Sequence, residues 1–330
     1  MTQEKIDIVV LWVDGSDLEF IREKQMVARK DGGSDSYIDS DMRYRDYGTF
    51  NNWFRMIENH APWVNKIFLI TNGQKPEWLN LAHPKLRWVT HKEFMPQEYL
   101  PTFNSAAIEL NLHRIKDLSE NYLYFNDDMY MIRDCKPSDF YKNGLPKLLA
   151  VYDAIVPWAP ITKTYLNNIE LIYRYFPNKA AMKASPWKFF NYRYGLRLFK
   201  NLVLLPWGPT GYVNPHLPVP MKKSTLAHLW EIEFETLDRT SKSQIRDYKV
   251  DVNQYICQNW QIESNQFYPI ARNIGKSIDL NRLDQLDRIF KDKHKKLLCV
   301  NDNVDFKEEN LLRFKKFLDE RYPEKSAFEL

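Results

Sequence analysis

The chain has 330 residues, 44% of them hydrophobic and 27% charged, with a formal net charge of +4. That length fits one large α/β domain with insertions or two smaller domains. So mild a charge does not argue for nucleic-acid binding, which usually shows a concentrated basic stripe, and with only ten glycines a glycine-rich phosphate loop is not expected. No run reaches the roughly 20 apolar residues of a membrane-crossing helix. The three cysteines, Cys135, Cys257 and Cys299, are far apart and form no CxxC pair, so reduced thiols are expected rather than a disulfide scaffold or a thiolate zinc site. The opening "MTQEKIDIVVLWVDG" lacks the shape of a cleavable signal. A soluble or peripheral protein is the expectation.

Taken in chain order, "IDIVVLWV" (6–13) is β-branched and apolar and stops at Asp14-Gly15, which reads as a buried strand followed by a turn. Residues 17–30 are charged and helix-compatible, and 30–41 is a polar Gly/Ser/Asp loop. Helical spacing recurs in "FNNWFRMIENHAPWV" (50–64), a strand follows in "KIFLITNGQ" (66–74), and another in "LRWVTHKEF" (86–94). "SAAIELNLHRI" (105–115) predicts a helix and "NYLYFNDD" (121–128) a fourth strand. This alternation predicts βαβ units and a mostly parallel sheet. Ligands of such sheets collect at the carboxyl ends of the strands. Three of these ends carry polar punctuation: "WVDG", "TNGQ" and "FNDD".

Beyond residue 150 the pattern loosens. The segment 155–207 is aromatic, basic and broken by prolines. The plainer reading is an inserted helical subdomain with its own apolar face; the sharper one is a surface that meets lipid or a lipid-linked acceptor. Residues 208–260 lead from a Pro-rich loop into helical sequence, 294–306 reads as a late strand ending in Asn-Asp-Asn, and the tail as an amphipathic helix. The expected division is a core at 1–150, a helical insertion at 151–207, and the rest of the core at 208–330.

Adjacent carboxylates at the end of a buried run call for pairing, hydrogen bonding or a metal, because burying an unpaired carboxylate is costly. In a parallel sheet Asp14, Asp127, Asp128 and Asp302 can converge on one edge, beside Asn126, Asn301 and Asn303. Such oxygen-rich clusters suit Mg²⁺ or Mn²⁺. His216 lies in a Pro-rich loop and Arg246 in a segment expected to be helical; near a carboxylate–metal cluster they would serve a phosphoryl group. On their own, the commoner readings are packing for the His and a solvated face for the Arg. Glu109 and His113 share helical spacing, as metal ligands or as a simple surface pair. Trp53, Trp63, Trp78 and Trp88 read as core.

The ordered set "IDIVVLWVDGSD", "RYRDYGTFNNWFRMIENHAPWVNKIFLITNGQKPEWLN", "LPTFNSAAIELNLHRIKDLSENYLYFNDDMY", "NPHLPVPMKKS" and "LLCVNDNVDF" resembles the Stealth family of sugar-1-phosphate transferases. The resemblance implies an α/β fold with a mostly parallel, Rossmann-like (GT-A-like) sheet flanked by helices. It implies a UDP-sugar donor, a glycan acceptor (free or lipid-linked), release of UMP and formation of a phosphodiester. Asp128 would be the general base, with Glu109, His216 and Arg246 also catalytic. Trp12, Asp14, Gly15, Arg45, Asn72 and Asn104 would bind substrate. Asp127, Asp302 and Asn303 would hold Mg²⁺ or Mn²⁺. The implied location is the cytoplasmic face of a bacterial membrane. Departures from the family pattern are "LWVDG" for "TWVDG", "TNGQ" for "TDGQ" and "FNNWFRMIENHAPW" for "LRYSLRSIEKYAPW", and the third region, which carries His216 and Arg246, is the most divergent. A metal-dependent glycosyltransferase releasing UDP and a non-catalytic glycan-binding protein are the rival classes.

Overall fold

Strand β1 (Ile6–Leu11) is buried on both faces, and its alternate residues enter two different cores. Ile6, Ile8 and Val10 meet Leu69, Leu123 and Phe125 on one side; Val9 meets Phe68, Ile70 and Tyr124 on the other. This is the behaviour of a parallel strand covered by helices on both faces. In this computed structural model, which describes residues 4–30, 44–157, 159–207, 210–271, 273–302, 305 and 307–330, β1 is the centre of a five-stranded sheet. The polar loop read at 30–41 falls, apart from Lys30, outside the described residues.

Around β1, strand β2 (Ile67–Thr71) and then β3 (Leu86–Thr90) lie parallel on one side, and β4 (Asn121–Asn126) lies parallel on the other. Strand Val219–Lys222 closes the β4 edge antiparallel. The chain steps outward from β1 to β2 and β3 and then returns to the far side of β1. The order therefore reverses between β1 and β4, which is the point where open α/β sheets form a ligand crevice. Helix Phe50–His60 covers one face with Trp53, Phe54 and Ile57. Helices Ser105–Asn111, Lys223–Ile232 and Tyr255–Glu263 cover the other with Leu110, Leu229 and Ile256. Trp53 is fully buried and the other three early tryptophans pack against the first core.

Two expectations are corrected here. The fourth strand stops at Asn126; Asp127 and Asp128 form a turn into the short strand Met129–Met131. The late strand is Leu297–Asn301, and it belongs to a separate three-stranded sheet, parallel to Gly275–Asp279 and antiparallel to Met129–Met131. That pairing, with Val300 N–H donating to the Asp128 carbonyl at 3.0 Å, delivers Asn301 and Asp302 to the end of β4 from outside the main sheet. Helix Glu308–Arg321 then returns Phe314 and Leu318 to the first core.

The segment 155–207 is helical, with Thr162–Tyr175 its longest helix. Part of it packs into its own cluster, in which Phe189 and Tyr194 meet Tyr152, Tyr212 and Phe267. Among the described residues no helix is long and apolar enough to cross a membrane.

Candidate active site

A cleft of about 320 Å³ opens where β1 and β4 end. Trp12 and Val13 line it from β1; Asn126, Asp127 and Asp128 line it from β4. Trp12 stacks on Phe50, centroids 5.9 Å apart and rings 7° from parallel, so its position is fixed by the core beneath. Asn72 enters from the β2 end, and the segment 44–49 runs along the rim. That segment is tied down at three points. Tyr44 donates to the Phe103 carbonyl at 2.9 Å, Tyr47 to the Val300 carbonyl at 3.2 Å, and Arg45 pairs with Asp302.

Asp128 is the centre of the arrangement. Its Oδ2 lies 3.9 Å from His216 Nε2 and accepts from the Cys299 thiol at 3.5 Å; its Oδ1 is buried without a partner. Burial raises the Asp128 pKa above the usual carboxylate range, and the His216 ring and the Cys299 S–H oppose that rise. Asp127 is pushed up further, by burial and then by the charges of Asp128 and Asp46. Burial also raises Asp46, reinforced by Asp14 and offset by the Gly48 N–H. Three carboxylates crowded in a partly desolvated cleft repel one another, and a cation relieves that strain.

The basic groups arrive on loops. His216 sits between Pro215 and Leu217 with φ of +43°, a left-handed conformation that a non-glycine residue adopts at a cost. Its side chain is nonetheless partly exposed and faces Asp128. Arg246 is not helical as the sequence predicts: it lies in the loop between helices Phe234–Lys242 and Tyr255–Glu263. It donates to Ser105 Oγ at 2.7 Å at the start of helix Ser105–Asn111.

Eight of the expected site residues line the cleft: Trp12, Arg45, Asn72, Asp127, Asp128, His216, Arg246 and Asp302. Others stand behind it. Glu109 is buried beneath the cleft, not in its wall; the Tyr124 hydroxyl lies 2.8 Å from Glu109 Oε1 and 2.7 Å from the Asn126 side-chain oxygen. Burial lifts its pKa to about 6, while Tyr124 and Arg246 pull it back. Glu109 therefore acts on the site through Arg246 and Tyr124. The expected Glu109–His113 pair does not form, because the helix tightens to a 3₁₀ turn at Leu112–Arg114 and His113 packs on Trp230.

Asn104 is a helix cap: its Oδ1 accepts from Ala106 N–H at 3.1 Å and its Nδ2 donates to Asp251 at 2.9 Å. Asp14 closes a local turn through Ser16 and meets Gln74 through its backbone. Gly15 has a packing role, since a Cβ there would come within 2.2 Å of the Tyr44 carbonyl. Asn303 falls outside the described residues.

Several residues went unread in the sequence. Asp46 and Tyr47 follow no strand, and Ser105 and Cys299 are unremarkable until the fold puts them beside Arg246 and Asp128. The ligand atoms of Asp128, His216 and Cys299 lie within 4.8 Å of one another. Burial keeps the Cys299 thiol protonated and it donates to Asp128, while His216 stands at 3.9 Å from that carboxylate, so the trio does not present a thiolate metal site.

The sequence profile of Stealth protein CR1, conserved region 1, matches residues 4–32, and that of Stealth protein CR2, conserved region 2, matches residues 43–148. The chain is 39% identical to the capsular polysaccharide phosphotransferase WcwK of Streptococcus pneumoniae over 329 residues, covering 98% of each chain. It is 60% identical over 196 residues to the capsular polysaccharide phosphotransferase eps5J of Streptococcus thermophilus, covering 59% of this chain and 82% of that one. It is 35% identical to the exopolysaccharide phosphotransferase cps2G of Lactiplantibacillus plantarum, covering 98% of this chain and 96% of that one. With matched profiles at its sheet-forming half and full-length similarity to phosphotransferases, this chain belongs to the Stealth family and is a transferase of phosphorus-containing groups.

Proposed function

We propose that the chain moves a hexose-1-phosphate or N-acetylhexosamine-1-phosphate from a UDP-sugar to a glycan hydroxyl during capsular or exopolysaccharide synthesis. The observation that carries this reading is the facing of Asp128 and His216 across a cleft that also holds Arg246, at the reversal point of the sheet. The relatives' names support the polysaccharide context and the phosphorus chemistry.

The residues divide the work as follows. The acceptor oxygen attacks the β-phosphorus, a new P–O bond forms, the bond from that phosphorus to the bridging pyrophosphate oxygen breaks, and UMP leaves. The acceptor proton passes to Asp128, whose raised pKa makes it a stronger base than an exposed carboxylate. Arg246, held at Ser105, neutralises charge on the phosphoryl oxygens, and His216 supports the same group from the opposite loop. Trp12 and Asn72 offer a stacking face and an amide to the nucleotide end.

A hard divalent cation suits the carboxylate side: Asp127, Asp128 and Asp46 are mutually repelling, and Asp128 Oδ1 is an unpartnered buried oxygen. Asp302, expected beside Asp127 in this role, already carries the Arg45 guanidinium. Bound there, Mg²⁺ or Mn²⁺ would supply charge neutralisation at the pyrophosphate.

A second pocket of about 260 Å³ is lined by Ile155, Tyr165, Asn168 and Asn259, and reaches Asn214, two residues before His216. Asn259 Oδ1 is buried there without a partner. Amides beside tyrosine and aliphatic surface suit a sugar, and this pocket is where the acceptor is expected to bind.

Incubation with a panel of UDP-sugars and glycan acceptors tests the reading. Release of UMP with a phosphodiester resonance by phosphorus NMR is the expected outcome; release of UDP would replace phosphoryl transfer with glycosyl transfer.

A further inference from the structure

The stretch that closes the insertion has apolar side chains on both of its faces. Helix Leu198–Val203 and the 3₁₀ turn before it, Tyr192–Arg197, hold the body of the protein through Tyr194, Leu198, Asn201 and Leu204. Asn201 is locked, its Oδ1 accepting from Tyr152 N–H at 2.7 Å and its Nδ2 donating to Ala150 and Phe189 carbonyls at 2.9 and 2.7 Å. Lys179 is buried and donates to the Leu204 carbonyl at 2.5 Å, finishing the turn. The segment is therefore well anchored on its inner side.

Its outer side also carries large apolar side chains. Leu196 is 77% exposed, Phe199 53%, Leu202 55%, Val203 63% and Trp207 61%. Scattered apolar residues on a surface need no explanation, but a contiguous run on an anchored element marks an interaction surface.

Charge selects the occupant. Arg193, Arg197 and Lys200 stand among the exposed apolar residues, and from Leu171 to Trp207 the sequence has seven Lys or Arg and no Asp or Glu. Lys179 and Lys188 are buried on backbone carbonyls, Arg174 is paired with Glu233 at 2.9 Å and Lys200 with Asp153 at 2.6 Å, so among the described residues of this run the outward cations outside ion pairs are Lys183, Arg193 and Arg197. A symmetric dimer through this patch would set these cations against their own copies. Anionic headgroups take up the cations while the Leu, Phe and Trp side chains enter the acyl boundary, with the long Arg and Lys stems reaching back to the headgroup level.

We infer that residues 192–207 form a docking surface for an anionic phospholipid bilayer, on which the protein sits peripherally. The proposal does not depend on the reaction assigned above, because it is read without donor or acceptor.

Flotation of the full chain with vesicles of phosphatidylcholine containing about 30 mol % phosphatidylglycerol, against phosphatidylcholine alone, tests it. The expected result is at least about tenfold tighter binding to the anionic vesicles, and a loss of about tenfold or more in the variant Leu196→Ser/Phe199→Ser/Leu202→Ser. The variant Arg193→Gln/Arg197→Gln should lose the preference for anionic lipid while leaving the apolar residues in place. Unchanged melting by circular dichroism serves as the folding control for both. Equal flotation of wild type and apolar variant, or no flotation of the wild type, overturns the inference. So does light scattering that shows a wild-type dimer dispersed by the apolar variant, since the occupant would then be a second copy.

Discussion

The two sides of the cleft are built differently. The carboxylate side, Asp127 and Asp128, continues directly from a strand buried on both faces, so the core that holds β4 also sets these side chains. The basic side, His216 and Arg246, is carried by loops, and each depends on a local device: a left-handed backbone at His216 and a hydrogen bond to Ser105 at Arg246. Proton acceptance needs a carboxylate whose burial is fixed, whereas charge neutralisation tolerates some movement as a phosphoryl group arrives. The group in the turn that directly follows β4 should thus be intolerant of chemical change, and the loop-borne groups should show their sensitivity in geometry as much as in charge.

The largest expected effect is on the strand side. Asp128→Asn keeps shape and removes the base, so kcat should fall by about 10³ or more while UDP-sugar binding by calorimetry changes little. Substantial remaining turnover would return Asp128 to a structural role. On the loop side, Arg246→Lys keeps the charge but loses the planar fork and the bond to Ser105. A drop of about 10² in kcat/KM is expected from steady-state kinetics, and a near-normal value would mean that charge alone suffices there.

Glu109 links the two sides and should be softer. Its carboxylate supports Arg246 when ionised, and its pKa is lifted to about 6 by burial. Wild-type kcat/KM should therefore decline as pH falls below about 6. Glu109→Gln should be about tenfold slower at neutral pH, as expected for a group acting through another, with that acid limb flattened. A pH profile identical in both proteins would remove Glu109 from the arrangement.

The smallest effect concerns the scaffold of the Arg246 loop. Asp251, which accepts from Asn104 and from Asp247 N–H, is pushed to about 7 by burial. Its folded pKa lies above its unfolded value, so its stabilising contribution is complete below about pH 4 and is lost as pH rises through 7. The melting temperature should fall between pH 5 and pH 8, and Asp251→Asn should lessen that fall by about 2–3 °C. An unaltered slope would show that the carboxyl does not titrate in the folded protein over this range.

This difference between the two sides also governs what the sequence could reveal. Asp128 was legible because an apolar, aromatic run announces a buried strand and the chain then breaks at two acids. The parallel sheet was legible for the same reason. Asp302 was legible as the end of an apolar run, but its route to the cleft was not, since pairing of Leu297–Asn301 with Met129–Met131 is a long-range choice that no local pattern records. Glu109 matched the family pattern, yet the 3₁₀ turn that parts it from His113 and the Tyr124 bridge above it depend on packing. Asn104 and Gly15 matched too and proved to be a cap and a close backbone contact. Cys299 and Ser105 carried no signal, because their meaning comes wholly from the neighbours that the fold supplies.

The central claim is attack at phosphorus with the anomeric bond intact, and an isotope places the broken bond directly. With a UDP-sugar carrying ¹⁸O between the anomeric carbon and the β-phosphorus, mass spectrometry of the products should find the label in the new phosphodiester and none in the released UMP. Label leaving in UDP would mean that the carbon–oxygen bond had broken, and would contradict the account.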